Sequence, residues 1–229
     1  RYHGSMDEIN VATNLHSIQR RISTAEQLAS RPSGSVSLLA VSKTKPDSLI
    51  RAAWEAGQRA FGENYAQEAE EKARRLADLD IEWHFIGPIQ SNKTRGLAQT
   101  MAWVHSIDRL KIAQRLSDQR PENLPPLNIC LQLKLSHEPN KSGIAPSELP
   151  LLAQQVSKLP KLHLRGLMVI PAATTDLQEQ RKSFKQLKTL LLELQVRHPE
   201  VDTLSMGMSG DLEAAIVEGS TVVRVGTDI

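Results

Sequence analysis

Cysteine is almost missing from this chain: Cys130 stands alone among 229 residues. No disulfide can form within the chain, which fits a reducing compartment. Cys130 lies in the apolar run L-N-I-C-L-Q-L and reads as a small buried hydrophobe. Long runs of one charge are also absent, and Lys plus Arg (28) nearly balances Asp plus Glu (26), so there is no electrostatic footprint for nucleic acid. No stretch approaches the roughly 18 uninterrupted apolar residues of a membrane span, and no apolar signal segment opens the chain. A soluble cytoplasmic protein that contacts neither membrane nor nucleic acid is expected. Clusters of His, Cys and carboxylate at metal-ligand spacing are missing too, so no metal is expected. Nothing marks a large apolar interface, and a monomer is the simplest expectation.

What is present is a repeated alternation. Residues 1–6, R-Y-H-G-S-M, read as an expression scar, leaving 7–229 as one domain. From Asp7 to Ala29, Ile9, Leu15, Ile18, Ile22 and Leu28 recur at roughly helical spacing and form a lead-in helix. The stretch S-L-L-A-V-S-K-T-K-P from Ser37 then reads as a buried strand that emerges at a rim, followed by a helix capped by Asp47 and stopped at Gly57. Further strands are expected at R-A-F-G-E, I-E-W-H-F-I-G, Trp103–Ser106, Leu127–Leu135, L-H-L-R-G-L-M-V-I, Thr203–Ser205 and Thr221–Val225. Helices fall between them, one capped by Asp108. About eight strand-helix units in a chain of this length predict an α/β fold, a single (β/α)8 TIM-type barrel with an extra N-terminal helix. An open doubly wound sheet is the alternative, because alternation does not dictate closure.

In such a barrel, reactive groups sit at the C-terminal ends of strands, and phosphate sites use the loops after the seventh and eighth. Side chains alternate along a strand, so Leu39, Val41 and Lys43 share one face. If that face points into the barrel, the Lys43 amine stands at the mouth of an apolar shaft and becomes a candidate Schiff-base former. A solvated edge lysine is the commoner fate of such a residue taken alone. After the seventh strand, S-M-G-M-S-G-D offers Ser205, Ser209 and free backbone N–H groups to an anion. After the eighth, Gly226 permits close backbone approach and Thr227 adds a hydroxyl. First and eighth strands become neighbours on closure, so Lys43 and these loops face one site. Arg224, flanked by β-branched residues, needs a partner: a structural carboxylate or a cofactor ring nitrogen. His84 reads as a satisfied strand residue, and Gln90, Asn92 and Lys93 as solvated loop residues.

These blocks together resemble a known family. L-L-A-V-S-K-T-K-P, F-G-E-N-Y-x-Q-E, W-H-F-I-G-P-I-Q-S-N-K, H-S-I-D-R, K-S-G-I, R-G-L-M-V-I-P, L-S-M-G-M-S-G-D and G-S-T-V-V-R-V-G-T are similar, in order, to the pyridoxal 5′-phosphate (PLP) homeostasis proteins. Those proteins share the barrel of the alanine racemase N-terminal domain. The resemblance implies that Lys43 carries PLP as an internal aldimine and Lys45 does not. It implies that Ser205, Ser209, Gly226 and Thr227 hold the phosphate, that Asn64 lines the cofactor, and that Arg224 faces the pyridine nitrogen. An arginine there leaves the nitrogen unprotonated and restrains carbanion chemistry. The chain ends just after the eighth strand, with Tyr2 and Tyr65 as its only tyrosines, so no second domain with a tyrosine base is expected to complete the site. The implied role is PLP homeostasis without catalytic residues. It consists of buffering the cofactor, with contact to other B6 vitamers and delivery to apo-enzymes. A PLP-dependent amino-acid racemase with a minimal site is the competing reading. A sugar-phosphate barrel is the third, and it leaves Lys43 without a role. Lys134 and Asp228 depart from the family pattern, where asparagine and a small or apolar residue are usual; Lys134 is expected to point outward.

Overall fold

Each strand of the alternation has one face that needs a helix for cover and one that needs the other strands, and closing the sheet satisfies both. The computed structural model describes residues 6–136, 142–227 and 229. Eight parallel strands close in sequence order into a barrel: β1 (Ser37–Val41), β2 (Ala60–Glu63), β3 (Glu82–Phe85), β4 (Trp103–Ile107), β5 (Leu127–Leu133), β6 (Leu162–Val169), β7 (Thr203–Ser205) and β8 (Val222–Val225). The open-sheet alternative is thereby excluded. The closing seam pairs Leu38 with Val223 and Leu39 with Arg224.

Helix α1 (Met6–Leu28) precedes the barrel. The others are α2 (Asp47–Glu55), α3 (Ala66–Arg75), α4 (Thr94–Thr100), α5 (Leu110–Gln119), α6 (Leu149–Ser157), α7 (Leu177–Gln195) and α8 (Leu212–Val217). The lead-in helix packs on α2 and α8, over the β1–β8 seam. Its buried stripe is Val11, Leu15, Ile18, Ile22 and Ala25, at alternating steps of four and three. Ile9 and Leu28, expected on that stripe, are exposed, because they lie off the 3.6-residue period. None of the described helices is long and apolar enough to cross a membrane. Residues 1–5 of the expected scar lie outside the described residues, and Met6 opens α1.

Two expected caps are corrected. Pro46 is the N-cap of α2, and Asp47 is its first residue, with its carboxylate turned to Arg75 at 2.9 and 3.0 Å. Asp108 caps nothing: Arg109 precedes α5, and Asp108 accepts the Gly143 N–H instead. By contrast Asp176 does cap α7, accepting from Gln178 N–H at 2.9 Å. Asp176→Ala is expected to cost about 1 kcal/mol of stability, read from the urea midpoint.

Outward-facing strand residues such as Leu127, Ile129, Leu131 and Val223 join the helices in one apolar cluster. The barrel interior is different. Leu39, Cys130 and Met168 are buried there outside that cluster, beside a line of polar groups: His84, His105, Ser205 and Arg224. Burial pushes the Cys130 thiol up to about 12, so the lone cysteine is an inert filler, as expected.

Candidate functional site

Strand β1 stops at Val41, two residues before Lys43. Ser42 N–H still donates to Gly62 O at 2.9 Å, but Thr44 takes a left-handed φ of 62° and turns the chain. Lys43 is therefore exposed at the rim and not held in an apolar shaft, because strand alternation ends before it.

A buried charge cluster stands behind this turn. Lys72 of α3 is 1% exposed; its Nζ donates to Ser42 O at 2.6 Å and pairs with Glu63 at 3.1 Å and Glu68 at 2.9 Å. Glu68 also accepts Thr44 N–H at 2.8 Å, and Ser42 Oγ donates to Glu63. Residues 42 and 44 are thus tied down on either side of Lys43. Burial pushes the Glu63 carboxyl up, against the opposing pull of Ser42 and Lys72.

The opposite wall comes from the loops after β7 and β8. Gly207 has a φ of 106°, and its carbonyl accepts Arg224 N–H at 2.8 Å, which holds the two loops side by side. A Cβ on Gly226 would lie 3.1 Å from that of Val41, so a small residue keeps this edge close to β1. Val41, Lys43, Thr44, Lys45, Met208, Ser209, Gly210, Arg224, Gly226 and Thr227 line one cleft of about 380 Å³. Within the loop, Met208 N–H is already taken by Asp211 Oδ1 at 2.6 Å. Helix α8 has only six residues, and Ser209, Gly210, Gly226 and Thr227 complete this wall of the cleft.

Five of the seven expected site residues, Lys43, Ser209, Arg224, Gly226 and Thr227, meet in this cleft. Ser205 sits beneath it at zero exposure, its Oγ between Arg224 Nη1 and His105 Nδ1, each at 2.7 Å. Arg224 Nη2 donates to Val169 O at 2.9 Å, and burial pushes the guanidinium down to about 10, still a cation near neutrality. Asn64 follows β2 at the same end of the barrel but outside the cleft lining. Among the described residues its Oδ1 is the one buried side-chain oxygen or nitrogen without a hydrogen-bond partner. An orphaned amide oxygen at the rim is what a site for a polar ligand leaves behind. The amine, the hydroxyl-bearing loops and the buried guanidinium suit a phosphorylated pyridine aldehyde.

With that geometry in place, comparison with known proteins is decisive. Residues 13–229 match the model of the alanine racemase N-terminal domain family. The pyridoxal phosphate homeostasis protein of Pseudomonas aeruginosa is 58% identical over 217 residues, covering 95% of this chain and 93% of that protein. The chain belongs to the pyridoxal phosphate homeostasis proteins. A solved structure similar to this chain, PipY from Synechococcus elongatus with PLP bound, superposes with a TM-score of 0.83 at 40% identity, covering 95% of this chain and 98% of that one. Alanine racemase from Corynebacterium glutamicum, at 15% identity and a TM-score of 0.70, shares the fold over 96% of this chain and 60% of its own.

Of the two positions expected to depart from the family pattern, Lys134 lies half-buried just past β5, outside the cleft lining. Its backbone N–H donates to Ile144 O at 2.8 Å. Asp228 and residues 137–141 lie outside the described residues. Gln90, Asn92 and Lys93 are exposed, as expected, although Asn92 and Lys93 belong to a single 3-10 turn (Ser91–Lys93) and not to a loop.

Sequence reasoning missed the Lys72 cluster and His105. The signals were Glu68 and Lys72 at i,i+4 behind a strand ending in Glu63, and W-H-F beside W-V-H-S, in which His84 pairs with Trp103 and His105 lies two residues further along the same face.

Proposed function

We propose that this chain is a PLP carrier acting in intracellular PLP homeostasis: it binds the cofactor covalently through Lys43, buffers the reactive aldehyde, and passes it to apo-enzymes without turning over a substrate itself. The observation that carries this reading is the single cleft with Lys43 and Thr44 on one wall, Ser209, Gly210 and Thr227 on the other, and Arg224 at its base. When bound, the cofactor supplies an aldehyde that condenses with primary amines and a ring that withdraws electrons when its nitrogen is protonated. Lys43 is the amine. Ser209 and Thr227 hydroxyls, with the backbone at Gly210 and Gly226, receive the phosphate, and Asn64 borders the ring edge.

Arg224 supports a role without robust catalysis. A guanidinium has only donors, so it meets an unprotonated ring nitrogen and leaves the ring a weak electron sink. The described cleft lining also contains no tyrosine, histidine or carboxylate to exchange a substrate proton. Ser205 serves Arg224 in this reading and not the phosphate, because its one hydrogen is engaged below the cleft.

The test is an absorbance spectrum of the purified protein with PLP, followed by borohydride reduction and peptide mapping. A visible band and an adduct on Lys43 are expected, with alanine or serine racemisation well under roughly 1 s⁻¹. Turnover at or above that rate would replace the carrier with a minimal racemase. Absence of both band and adduct would return the site to a sugar-phosphate barrel.

A further inference from the structure

The interior of the barrel holds a hydrogen-bonded chain running from the cleft to the opposite end of the molecule. Arg224 Nη1 lies 2.7 Å from Ser205 Oγ, which lies 2.7 Å from His105 Nδ1. His105 Nε2 lies 2.8 Å from His84 Nδ1, and His84 Nε2 lies 2.7 Å from Glu82 Oε1. The four strands β8, β7, β4 and β3 each contribute a member, with Glu82 at the first residue of β3. Trp103 stacks on His84 with the rings 5° from parallel, which fixes the plane of that imidazole.

The direction of every hydrogen in this chain follows from its two ends. Arginine can only donate, so Ser205 Oγ accepts from it and gives its own hydrogen to His105 Nδ1. His105 then carries its proton on Nε2 and donates to His84 Nδ1. His84 in turn carries its proton on Nε2 and donates to the Glu82 carboxylate, which has only acceptors. Both rings are neutral in this arrangement. Burial lowers both histidines, His105 well below its ordinary value, in agreement with it. The Glu82 carboxyl is held low by its bond to His84. A cation at one end and an anion at the other permit a single orientation.

We propose that His105, with His84 and Ser205, is a positioning chain that fixes the Arg224 guanidinium toward the cleft, and that Glu82, at the far end of the barrel, sets the direction of the chain. The role deepens the PLP-carrier reading and rests on it. Arg224 has five donors; Ser205 and Val169 anchor one on each terminal nitrogen. One of the remaining donors is then presented to the ring nitrogen. Without the Glu82 carboxylate the chain loses the one end that only accepts, and the reverse orientation becomes available. His105 then donates to Ser205, whose hydrogen must seek another partner.

Two variants test this on the full chain. Glu82→Gln changes a half-exposed side chain and keeps the fold. His105→Phe removes the acceptor of Ser205 and is checked first for a cooperative melt. Histidine ¹⁵N NMR on the ligand-free protein is expected to give the Nε2–H tautomer at both His84 and His105, and a mixture with Nδ1–H at His84 in Glu82→Gln. With PLP added, both variants are expected to keep the Lys43 adduct while their visible band changes position or intensity. The dissociation constant of His105→Phe should rise about tenfold. A protonated or Nδ1–H histidine in the wild type, or bands in both variants that overlay the wild type, overturns the proposal while leaving the carrier reading intact. A wild type that takes up no PLP overturns the carrier reading, and the proposal falls with it.

Discussion

Lys72→Met is expected to lower the unfolding free energy by about 3–5 kcal/mol, the cost of breaking a buried ion pair from one side. The variant leaves Glu63 at zero exposure with no cation beside it, and takes from Ser42 O the shorter of its two hydrogen bonds. Urea denaturation at neutral pH reads the loss. Its pH dependence follows from the carboxyl. Burial already raises Glu63, and Lys72 opposes the rise, so removing the lysine raises it further. A carboxyl whose folded value exceeds its unfolded one holds a proton in the fold that it loses on unfolding. Stability therefore falls as pH climbs from the unfolded value, about 4.3, through the folded one. The deficit of Lys72→Met should accordingly be smallest in acid and grow toward neutrality. Adding Glu63→Gln to the lysine variant should recover much of the loss, since no buried charge remains. A deficit under about 1 kcal/mol, or one that does not change with pH, would mean that water reaches the cluster. The same variant loosens residues 42 and 44, so cofactor loading at Lys43 should slow in parallel.

The barrel was legible because the first seven strands are each followed by a helical period and an eighth apolar run closes the series. Even three residues, Thr203–Ser205, were recognisable by their place in the alternation. Closure was not legible, since pairing Leu39 with Arg224 joins residues at opposite ends of the chain. At the site, Lys43, Ser209, Arg224, Gly226 and Thr227 follow from strand ends and glycine-containing loops. Ser205 lies outside the cleft lining for a specific reason. As the last residue of β7 it obeys strand alternation and points into the barrel, whereas Ser209, beyond the strand, is free to face the cleft. Strand alternation failed in the other direction at Lys43, which lies past the end of β1. The chain through His105 is assembled from separate units of the barrel, so its partners cannot be matched until the sheet closes; Lys72 has its carboxylates in its own β2–α3 unit, and only its ties to Ser42 and Thr44 cross to the unit before.

Lys43→Ala is expected to abolish the borohydride-stable adduct while leaving PLP able to bind non-covalently. The variant removes the amine but none of the groups on the facing wall: Ser209, Gly210, Gly226 and Thr227 remain, with Arg224 beneath them. Bound cofactor should then keep the absorbance of a free aldehyde and dissociate on dilution or dialysis. Lys45 is the second amine of the cleft lining and the natural substitute, but it is held differently. Its backbone N–H donates to Ser42 O at 3.0 Å, closing the turn around Thr44. It also borders the small apolar cavity formed with Val11, Leu49 and Ile229, on the side of α1 and α2. That turn directs Lys45 toward the helices, so it should not take over the adduct. Peptide mapping after reduction checks both halves of this expectation in one experiment. An adduct on Lys45 at wild-type yield would mean that the cleft selects only for an amine near the rim, and that the turn held by Glu68 and Lys72 does not choose between the two lysines.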